Sequence, residues 1–506
     1  MASIPDESRT VGRGMARGAA WMVLMRLVMR GAGLINMMIM ARLLVPEDFG
    51  LVAMAMIFVG AIEILSEFNF DVALIKEQGA RRRHYDTAWT LSVIRGVVVA
   101  LILVAIARPA AALFDEPRLE AMIAVLSLSS LMLGCQNIGV VDFRKSLDFR
   151  KDFLFMASEK VAAVAVTICL AFLWRDYWAL VGGIVASKLW RVGCSYAMHP
   201  YRPSFCLAAW RPLFAFTKWL LFHNMLLFLR NRVDRLIIGK LLGATTLGLY
   251  TVAFELANLA TSELMAPIRR ALLPGYAKLA DRPEWVRSMF IEVFGLTLWL
   301  GAPLAIGVGL IADPLVNVLL GYGWQAAVPV IQMLVIAGFV ALLSSGSQPI
   351  YLALGRPELP TLLTALSVTL LIPGLIVGTR VSGMSGAVIA VVTAQTLMAI
   401  ADIVLVIRLL GLAPRAIGAI AWRSLAALAL MAVVVHAVVR LWPFDRSWST
   451  DAGLLVSAIL IGAATYVTTS LLLWHRFAAG SGPERHVMRH LFDRLAGLRI
   501  GPGSGI

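Results

Sequence analysis

Residues 41–55 read ARLLVPEDFGLVAMA, and residues 239–253 read GKLLGATTLGLYTVA. At a constant offset of 198 residues the Leu-Leu pairs of the two segments align, and so do the Gly-Leu pairs that begin at Gly50 and Gly248. A repeat at fixed spacing indicates that one structural unit occurs twice in the chain. The sequence therefore predicts two similar halves.

Long apolar runs surround both copies of the repeat. Of the 506 residues, 60% are hydrophobic and 15% are charged, and the mean hydropathy is +0.82, whereas soluble domains carry about 25% charged residues. Runs of the ~20 apolar residues that a spanning helix needs recur along the whole chain. This composition excludes a soluble enzyme with one anchor and predicts an all-α polytopic membrane protein. We place fourteen spans at 19–42, 48–68, 88–107, 120–140, 153–174, 177–197, 215–238, 247–268, 288–311, 327–353, 359–378, 384–408, 418–440 and 453–474, or twelve if two weak runs do not span.

The spacing of the repeat also predicts how the halves are arranged. Six spans separate the two copies, and an even number gives both halves the same orientation, so they form a parallel repeat about an axis along the membrane normal. The predicted domains are a six-helix bundle at 1–205, a second at 206–412, two additional transmembrane helices at 413–475 and a cytoplasmic tail at 476–506. Within the tail, residues 487–500 fit either an interfacial helix or a solvated segment.

The basic residues predict the orientation of the chain. Lys and Arg total 45 against 30 Asp and Glu, for a net charge of +15. By our span boundaries about 28 basic residues fall on the side of the N-terminus and about 8 in the alternate loops, and basic loops stay cytoplasmic. Both termini are therefore predicted to be cytoplasmic. Topology accounts for most of the positive charge, so nucleic acid is not an expected partner.

Polar residues inside the first and seventh spans are the candidates for substrate binding. An ionisable residue in a span is costly and usually faces a bundle interior or a water-filled cavity. Arginines outnumber acids on the seventh span, and a cationic cavity would attract an anion such as phosphate, which fits the forked donors of arginine. The predicted substrate-binding residues are Arg26, Arg30, Asn36, Asn224, Arg230, Asn231, Arg232, Asp234 and Arg235.

Carboxylates in the spans suggest ion pairs or a coupling site. Glu63, Glu67 and Asp71 recur every four residues and are predicted to share one helical face, with Glu63 at the depth of Arg26. Arg230 and Asp234 stand at pairing distance on a helix. A desolvated carboxylate binds a proton more readily than an exposed one, which makes Glu63, Glu67 and Glu255 candidates for ion coupling. Four further charged residues have two possible roles: they form pairs that fix the register of neighbouring helices, or they have a direct function. They are Arg95, Glu159, Lys160 and Lys188.

Motifs for catalysis and for cofactor binding are absent from the sequence. There is no phosphate-binding loop, no zinc-protease motif and no nucleophile elbow. The four cysteines show no Cys-x-x-Cys spacing, so neither a metal site nor a disulfide framework is expected. The outer loops are short. The chain is predicted to be no enzyme and to need no cofactor.

Two segments carry a resemblance to a known family. ARLLVPEDFG at 41–50 resembles the signature of the polysaccharide transporter family, within the multidrug/oligosaccharidyl-lipid/polysaccharide exporter superfamily, and DRLIIGKLLGATTLGLYTVA at 234–253 is similar to its second-half signature. The resemblance implies two six-helix bundles around a central cavity, as in MATE transporters. It also implies a flippase that moves an undecaprenyl-pyrophosphate-linked oligosaccharide across the bacterial inner membrane by alternating access, usually coupled to an ion gradient.

Other functions are compatible with parts of this pattern. A multidrug or organic-cation antiporter of the same superfamily would want an acidic cavity, which the seventh span disfavours. A membrane polymerase or glycosyltransferase would need a long outer loop with paired carboxylates. A scaffold for polysaccharide synthesis is separated from a flippase only by a transport assay. Expected partners are the lipid-linked oligosaccharide, membrane lipids, a polysaccharide polymerase and glycosyltransferases.

Overall fold

A computed structural model describes residues 25, 28–66, 70–76, 79, 81–146, 148–208, 218–279, 281–442 and 447–477. Within these ranges the backbone consists of helices and short turns, and no strand occurs in them. The chain divides into two compact units at residues 251 and 252. The boundaries drawn from the repeat, at 205 and 412, stay predictions.

Helices of the first unit pack as neighbours joined by short turns. α4 (Arg82–Phe114) packs on α5 (Arg118–Gly134), and α7 (Phe149–Trp174) packs on α8 (Trp178–Met198). The two preceding helices, α4 and α7, end at Asp115 and Arg175, whose positive φ angles of 56° and 50° close a helix C-terminus. The helices are α1 (28–43), α2 (Pro46–Leu65), α3 (Phe70–Lys76), α4 (Arg82–Phe114), α5 (Arg118–Gly134), α6 (Val141–Lys145), α7 (Phe149–Trp174), α8 (Trp178–Met198) and α9 (Lys218–Leu279), which continues into the second unit.

Buried polar contacts dock the last helix of the second unit onto its first. The indole Nε1 of Trp299 donates to Ser470 Oγ at 2.6 Å, and the Tyr466 hydroxyl donates to the Trp299 carbonyl at 2.9 Å. Proline starts two of the helices, where its missing N–H costs nothing. The further helices are α10 (Pro283–Leu310), α11 (Ala312–Leu319), α12 (Val328–Leu343), α13 (Ser347–Ala353), α14 (Glu358–Leu410), α15 (Pro414–Leu441) and α16 (Trp448–Phe477).

Many of these helices have the length and composition of membrane spans. Nine helical segments of the described residues are long and apolar enough to cross a membrane. The number is ten if the bent pair Arg118–Gly134 and Ile138–Lys145, at 65° to each other, counts as one span. The chain is a multi-pass, all-helical membrane protein in the part that the structure describes.

Two of the helices are each a hairpin of two spans. At 53 residues, α14 would be ~80 Å long if straight, against a hydrocarbon layer of ~30 Å. Its backbone breaks at Ser382 and Gly383, and a Cβ added at Gly386 would lie 1.9 Å from the carbonyl oxygen of Gly378. Residues eight apart touch only where the chain reverses, so the break is a turn between antiparallel helices.

α9 reverses in the same way. Its backbone breaks at Gly243, with φ 80° and ψ −179°. The Tyr250 hydroxyl then donates to Asp234 Oδ2 at 2.6 Å, although sixteen residues of straight helix would separate them by ~24 Å. The two breaks coincide with the intervals predicted between the spans at 238–247 and 378–384.

The start of α2 crosses α9 just after this turn, at the backbone. A Cβ added at Gly50 would lie 1.7 Å from the carbonyl oxygen of Ala244, and one added at Gly248 would lie 1.8 Å from that of Pro46. Only glycine allows two backbones to approach so closely. The contacts are reciprocal under the 198-residue offset, because Gly50 corresponds to Gly248 and Pro46 to Ala244.

A polar network ties the chain after α8 to neighbouring helices. Asn137 is fully buried, and its Nδ2 donates to the Tyr201 carbonyl at 2.7 Å. Asp86 accepts from the Tyr201 hydroxyl and from the Ser204 N–H. Burial, together with the hydrogen bond to Asp86, raises the pKa of Tyr201 above its ordinary value. Burial lowers the pKa of His199, although the charge of Asp142 opposes that effect.

One predicted helical face is wrong. α2 ends at Leu65, where the hydroxyl of Ser66 donates to the Ile62 carbonyl at 2.7 Å. Asp71 therefore lies on α3 rather than on the helix of Glu63, and it pairs with Arg144 at 3.8 Å. A run of apolar residues does not reveal such a break, because the serine that caps the helix also occurs within spans.

The close helix crossing at Gly50 can be tested by measuring the thermal stability of a variant. Gly50→Ala places a methyl group against a carbonyl oxygen that cannot move freely, and overpacking of this kind costs about 1–3 kcal/mol. We expect a lower midpoint of thermal unfolding for the purified protein in detergent. Gly60→Ala on the same helix is the control, since its Cβ would lie an ordinary 3.6 Å from Phe228. Equal midpoints for the two variants would contradict the tight crossing.

Candidate substrate-binding site

The structure brings Lys160 of α7 to one face of α1. Arg30, Gly33 and Asn36 recur at intervals of three residues, which places them on one side of that helix. A Cβ added at Gly33 would lie 3.8 Å from the Nζ of Lys160, so the ammonium group occupies the space beside the glycine. Arg30 is close enough to repel Lys160 electrostatically. Two cations from separate helices thus share one region.

Beside Lys160, Glu159 holds two further cations. Its Oε1 accepts from the Nζ of Lys188 at 3.0 Å, and its Oε2 accepts from Arg191 at 2.7 Å. The Nε of Arg191 donates to Gln136 at 2.7 Å, and its guanidinium group stacks on a phenylalanine ring. The side chain of Glu159 is only 14% exposed. This pairing supports the structural reading for Glu159 and Lys188.

We define the cation cluster as Arg30, Lys160, Lys188, Arg191 and the carboxylate Glu159. Four positive charges and one negative charge give these five residues a net charge of +3. Lys160 lies fourteen residues before the end of α7, and Arg30 thirteen before the end of α1, so both are ~20 Å from the helix ends. A net positive group at mid-span depth favours an anionic ligand.

A neighbouring acceptor on α1 is not satisfied. The Oδ1 of Asn36 is buried, and it has no hydrogen-bond partner in the described part of the chain. A buried polar atom of this kind usually has a partner in native proteins, which can be a ligand or a water. Glu63, in contrast, accepts from the Ser130 hydroxyl at 2.8 Å. Glu63 is therefore engaged by a neutral donor.

The predicted residues of α9 divide into two groups. Asp234 and Arg235 are buried, and Asp234 accepts from Tyr250 and from the backbone N–H of Arg235. The expected pair of Asp234 with Arg230 is thus replaced by a contact across the turn of the hairpin. Arg230 and Asn231 are exposed, and Arg232 is half-buried.

The remaining predicted residues stay apart from the cluster or lie outside the structure. Glu255 is exposed on α9. Arg26, Glu67 and the side chain of Asn224 lie outside the described residues. The predicted pair of Arg26 with Glu63 therefore stays a prediction.

The sequence patterns did not identify two residues that the structure makes prominent. Arg191 joins the cation cluster through Glu159, and its spacing of three from Lys188 is the signal that would have placed both on one helical face. Asp402 of α14 is 8% exposed, and the Tyr351 hydroxyl donates to its Oδ1 at 2.7 Å. The signal that could have identified Asp402 is a carboxylate inside the predicted span 384–408.

Residues 39–329 match the family described as "Polysaccharide biosynthesis protein". The chain belongs to this family. The lipopolysaccharide biosynthesis protein WzxC of Escherichia coli (strain K12) is 24% identical over 382 residues, which cover 75% of this chain and 78% of WzxC. The family resemblance inferred from residues 41–50 is confirmed.

Solved structures with the same fold are transport proteins. Lipid II flippase MurJ in an inward closed conformation has a TM-score of 0.66 and 12% identity, covering 90% of this chain and 99% of MurJ. An inward-facing multidrug resistance MATE family transporter of the MOP superfamily has a TM-score of 0.62 and 13% identity, covering 78% and 98%. The chain thus has a MurJ/MATE-like fold, as predicted. These related proteins are a flippase and a transporter by name, not enzymes.

The pairing of Glu159 predicts a large effect on stability. Glu159→Gln leaves Lys188 and Arg191 half-buried without their counter-charge, and breaking such a pair costs about 3 kcal/mol. We expect a clearly lower midpoint of thermal unfolding. Glu120→Gln is the matched control, because it breaks the exposed pair with Arg108, which is worth about 1 kcal/mol or less. An equally large decrease in the unfolding midpoint for Glu120→Gln and for Glu159→Gln would contradict the expectation that burial makes the Glu159 pairs more important for stability.

Proposed function

We propose that the protein is a flippase for a polyprenyl-pyrophosphate-linked oligosaccharide in the synthesis of a surface polysaccharide, O-antigen or exopolysaccharide. The observation that carries this proposal is the cation cluster at mid-span depth, with its net charge of +3. Membership of the polysaccharide biosynthesis family supports the substrate class, and the likeness to MurJ, which is named for lipid II, supports a lipid-linked cargo. The protein acts in the bacterial inner membrane by alternating access.

The cluster suits a pyrophosphate for chemical reasons. Arginine offers planar, bidentate donors to phosphate oxygens, and lysine adds a point charge. Glu159 pairs with Lys188 and Arg191. We assign Arg30 and Lys160, which lie near each other on α1 and α7, to the substrate. The unsatisfied oxygen of Asn36 accepts a hydrogen bond from a sugar hydroxyl. Arg230, Asn231 and Arg232 of α9 extend the cationic surface in the second half.

The topology that we propose has fourteen spans, with both termini in the cytoplasm. The hairpins of α9 and α14 each supply two spans, which supports a number above the nine or ten helical segments. Spans 1–6 and 7–12 form the two bundles, and spans 13 and 14 follow them. The reciprocal contacts of Gly50 with Ala244 and of Gly248 with Pro46 support a two-fold relation between the halves, since reciprocity is the mark of such an axis.

The coupling ion belongs to the same proposal. Glu63 lies in the candidate span α2, is half-buried and accepts a hydrogen bond from the neutral hydroxyl of Ser130. Glu63 is therefore our first candidate for coupling, and Glu67 and Glu255 are the others. An organic-cation antiporter is disfavoured by the net positive charge of the cluster.

The proposed role of the cluster is tested in the source strain deleted for this chain. Arg30→Ala and Lys160→Ala should each lower surface polysaccharide at least about tenfold, because each removes a charge that stabilises the bound pyrophosphate by 1.4 kcal/mol or more, on the order of one factor of ten. Lys160→Arg, which keeps the charge, should retain most of the polymer. Polymer is measured by gel electrophoresis and sugar analysis, with membrane-inserted protein quantified in parallel.

Lys151→Ala on the same helix is the control, since Lys151 is exposed and pairs with Asp148 outside the cluster. Normal polymer from both Arg30→Ala and Lys160→Ala would refute the site. Transport is separated from a scaffold role in proteoliposomes, where the purified protein should move a fluorescent polyprenyl-pyrophosphate saccharide between leaflets. Wild-type protein that leaves the probe in one leaflet would favour the scaffold.

A further inference from the structure

An apolar cavity of about 390 Å³ lies between the end of α2, α3 and the first half of α4. Eight apolar side chains, one hydroxyl and one guanidinium group line it. The hydroxyl of Ser66 donates to carbonyl groups of its own helix at 2.7 and 3.0 Å. Arg95 is therefore the charged group that faces the cavity.

The mouth of the cavity is lined by exposed apolar residues. Ile94, Val98 and Ile102 recur every four residues along α4 and are 44%, 48% and 39% exposed. They form a straight apolar line of ~12 Å, and Leu65 at the end of α2 is 42% exposed beside it. α4 is a candidate membrane span, so exposed apolar residues on it contact lipid. A hydrocarbon chain can lie along this line.

Arg95 lies well inside the membrane, beside the foot of this line. Arg108, thirteen residues further on α4, marks one interface, since its side chain is 85% exposed and pairs with Glu120 at 2.9 Å. Arg95 is ~20 Å from that level, and thus about 10 Å inside the opposite edge of a ~30 Å layer. In the topology proposed above, the opposite edge is the cytoplasmic leaflet.

A charge at this place needs an anion from the lipid phase. A guanidinium group within the hydrocarbon layer is costly unless it is paired, and phosphate is the lipid group that its fork binds best. The cavity, of about 390 Å³, can hold a segment of a hydrocarbon chain.

We infer that this cavity is an entry site for the polyprenyl part of the substrate, with the isoprenoid chain along Ile94, Val98 and Ile102 and its adjoining phosphate on Arg95. The inference rests on the proposed function, which supplies a lipid with one chain and a phosphate. It assigns a lipid-facing site that is separate from the cation cluster. The cluster binds the pyrophosphate during transfer, and the Arg95 site captures the lipid from the cytoplasmic leaflet.

Photo-crosslinking in nanodiscs tests this site with the full chain. Leu101→p-benzoylphenylalanine places a reactive group beside the line, because Leu101 is 65% exposed and does not line the cavity. The probe lipid is undecaprenyl phosphate at a small mole fraction in phosphatidylethanolamine and phosphatidylglycerol. We expect polyprenyl adducts at least tenfold above that mole fraction. The same reactive group at Leu173, on the exposed face of α7, should give adducts at the bulk fraction.

Variants separate the two components of the site. Arg95→Gln should lower the enrichment at least tenfold and Arg95→Lys should keep most of it, whereas Arg108→Gln is the matched control and should change nothing. Undecaprenol lacks the phosphate. With the wild-type protein it should therefore show the same low enrichment that undecaprenyl phosphate shows with Arg95→Gln. Size-exclusion profiles identify any variant that has not folded, and Val98→Trp, which fills the cavity, provides a second way to remove binding.

Two results would overturn the inference: phospholipid and polyprenyl adducts in proportion to the bilayer, or enrichment that survives both Arg95→Gln and Val98→Trp. The proposed function fails by a different readout, which is the absence of saccharide transfer by the wild-type protein in proteoliposomes. Transfer without enrichment at Leu101 refutes the entry site alone. Enrichment without transfer refutes the flippase and leaves a polyprenyl-binding protein.

Discussion

The backbone crossing between the two copies of the repeated sequence constrains much of the first unit. Lipid tails are as apolar as the helices, so helices in a membrane associate through close packing of small residues rather than through a hydrophobic drive. Gly50 and Gly248 supply that packing reciprocally. Ion pairs lie around it: Glu47, next to Pro46, pairs with Arg118 at 2.6 Å, and Lys240 pairs with Asp115 at 2.7 Å. One end of α2, α4, α5 and α9 is thereby held together.

The cation cluster lies further from this end of the helices, and its charges require a separate explanation. Positive charges that gather in an apolar region lower stability unless other groups offset them. Glu159 offsets the charges of Lys188 and Arg191, while Arg30 and Lys160 repel each other. Clusters of interacting charges of this kind are common at functional sites. This arrangement is compatible with the anionic substrate proposed above.

That the chain consists of apolar helices of spanning length could be predicted from the sequence, because a spanning helix has a fixed length and an apolar composition, whereas the number of fourteen spans stays a prediction. The turns at Gly243 and at Ser382 and Gly383 fall between predicted spans for the same reason. The side-chain partners could not be predicted so well. Tyr250 binds Asp234 from sixteen residues away, and Lys160 reaches Gly33 from another helix. Both contacts depend on how the chain reverses and how helices pack. The spacing of residues along a single helix gives no information on either.

The proposed substrate, a lipid-linked oligosaccharide, has one part that prefers hydrocarbon and another that prefers water, and the positions of the charges are compatible with both parts. Its isoprenoid chain stays in hydrocarbon, while its phosphates and sugars need donors and acceptors. Arg95 lies beside exposed apolar residues of α4, whereas Lys160 lies beside Gly33 of α1, and both of the latter residues are half-buried. Arg95 and Lys160 are both ~20 Å from helix positions that reach an interface. In the proposed mechanism, a phosphate that moves from Arg95 to Lys160 keeps its depth in the membrane.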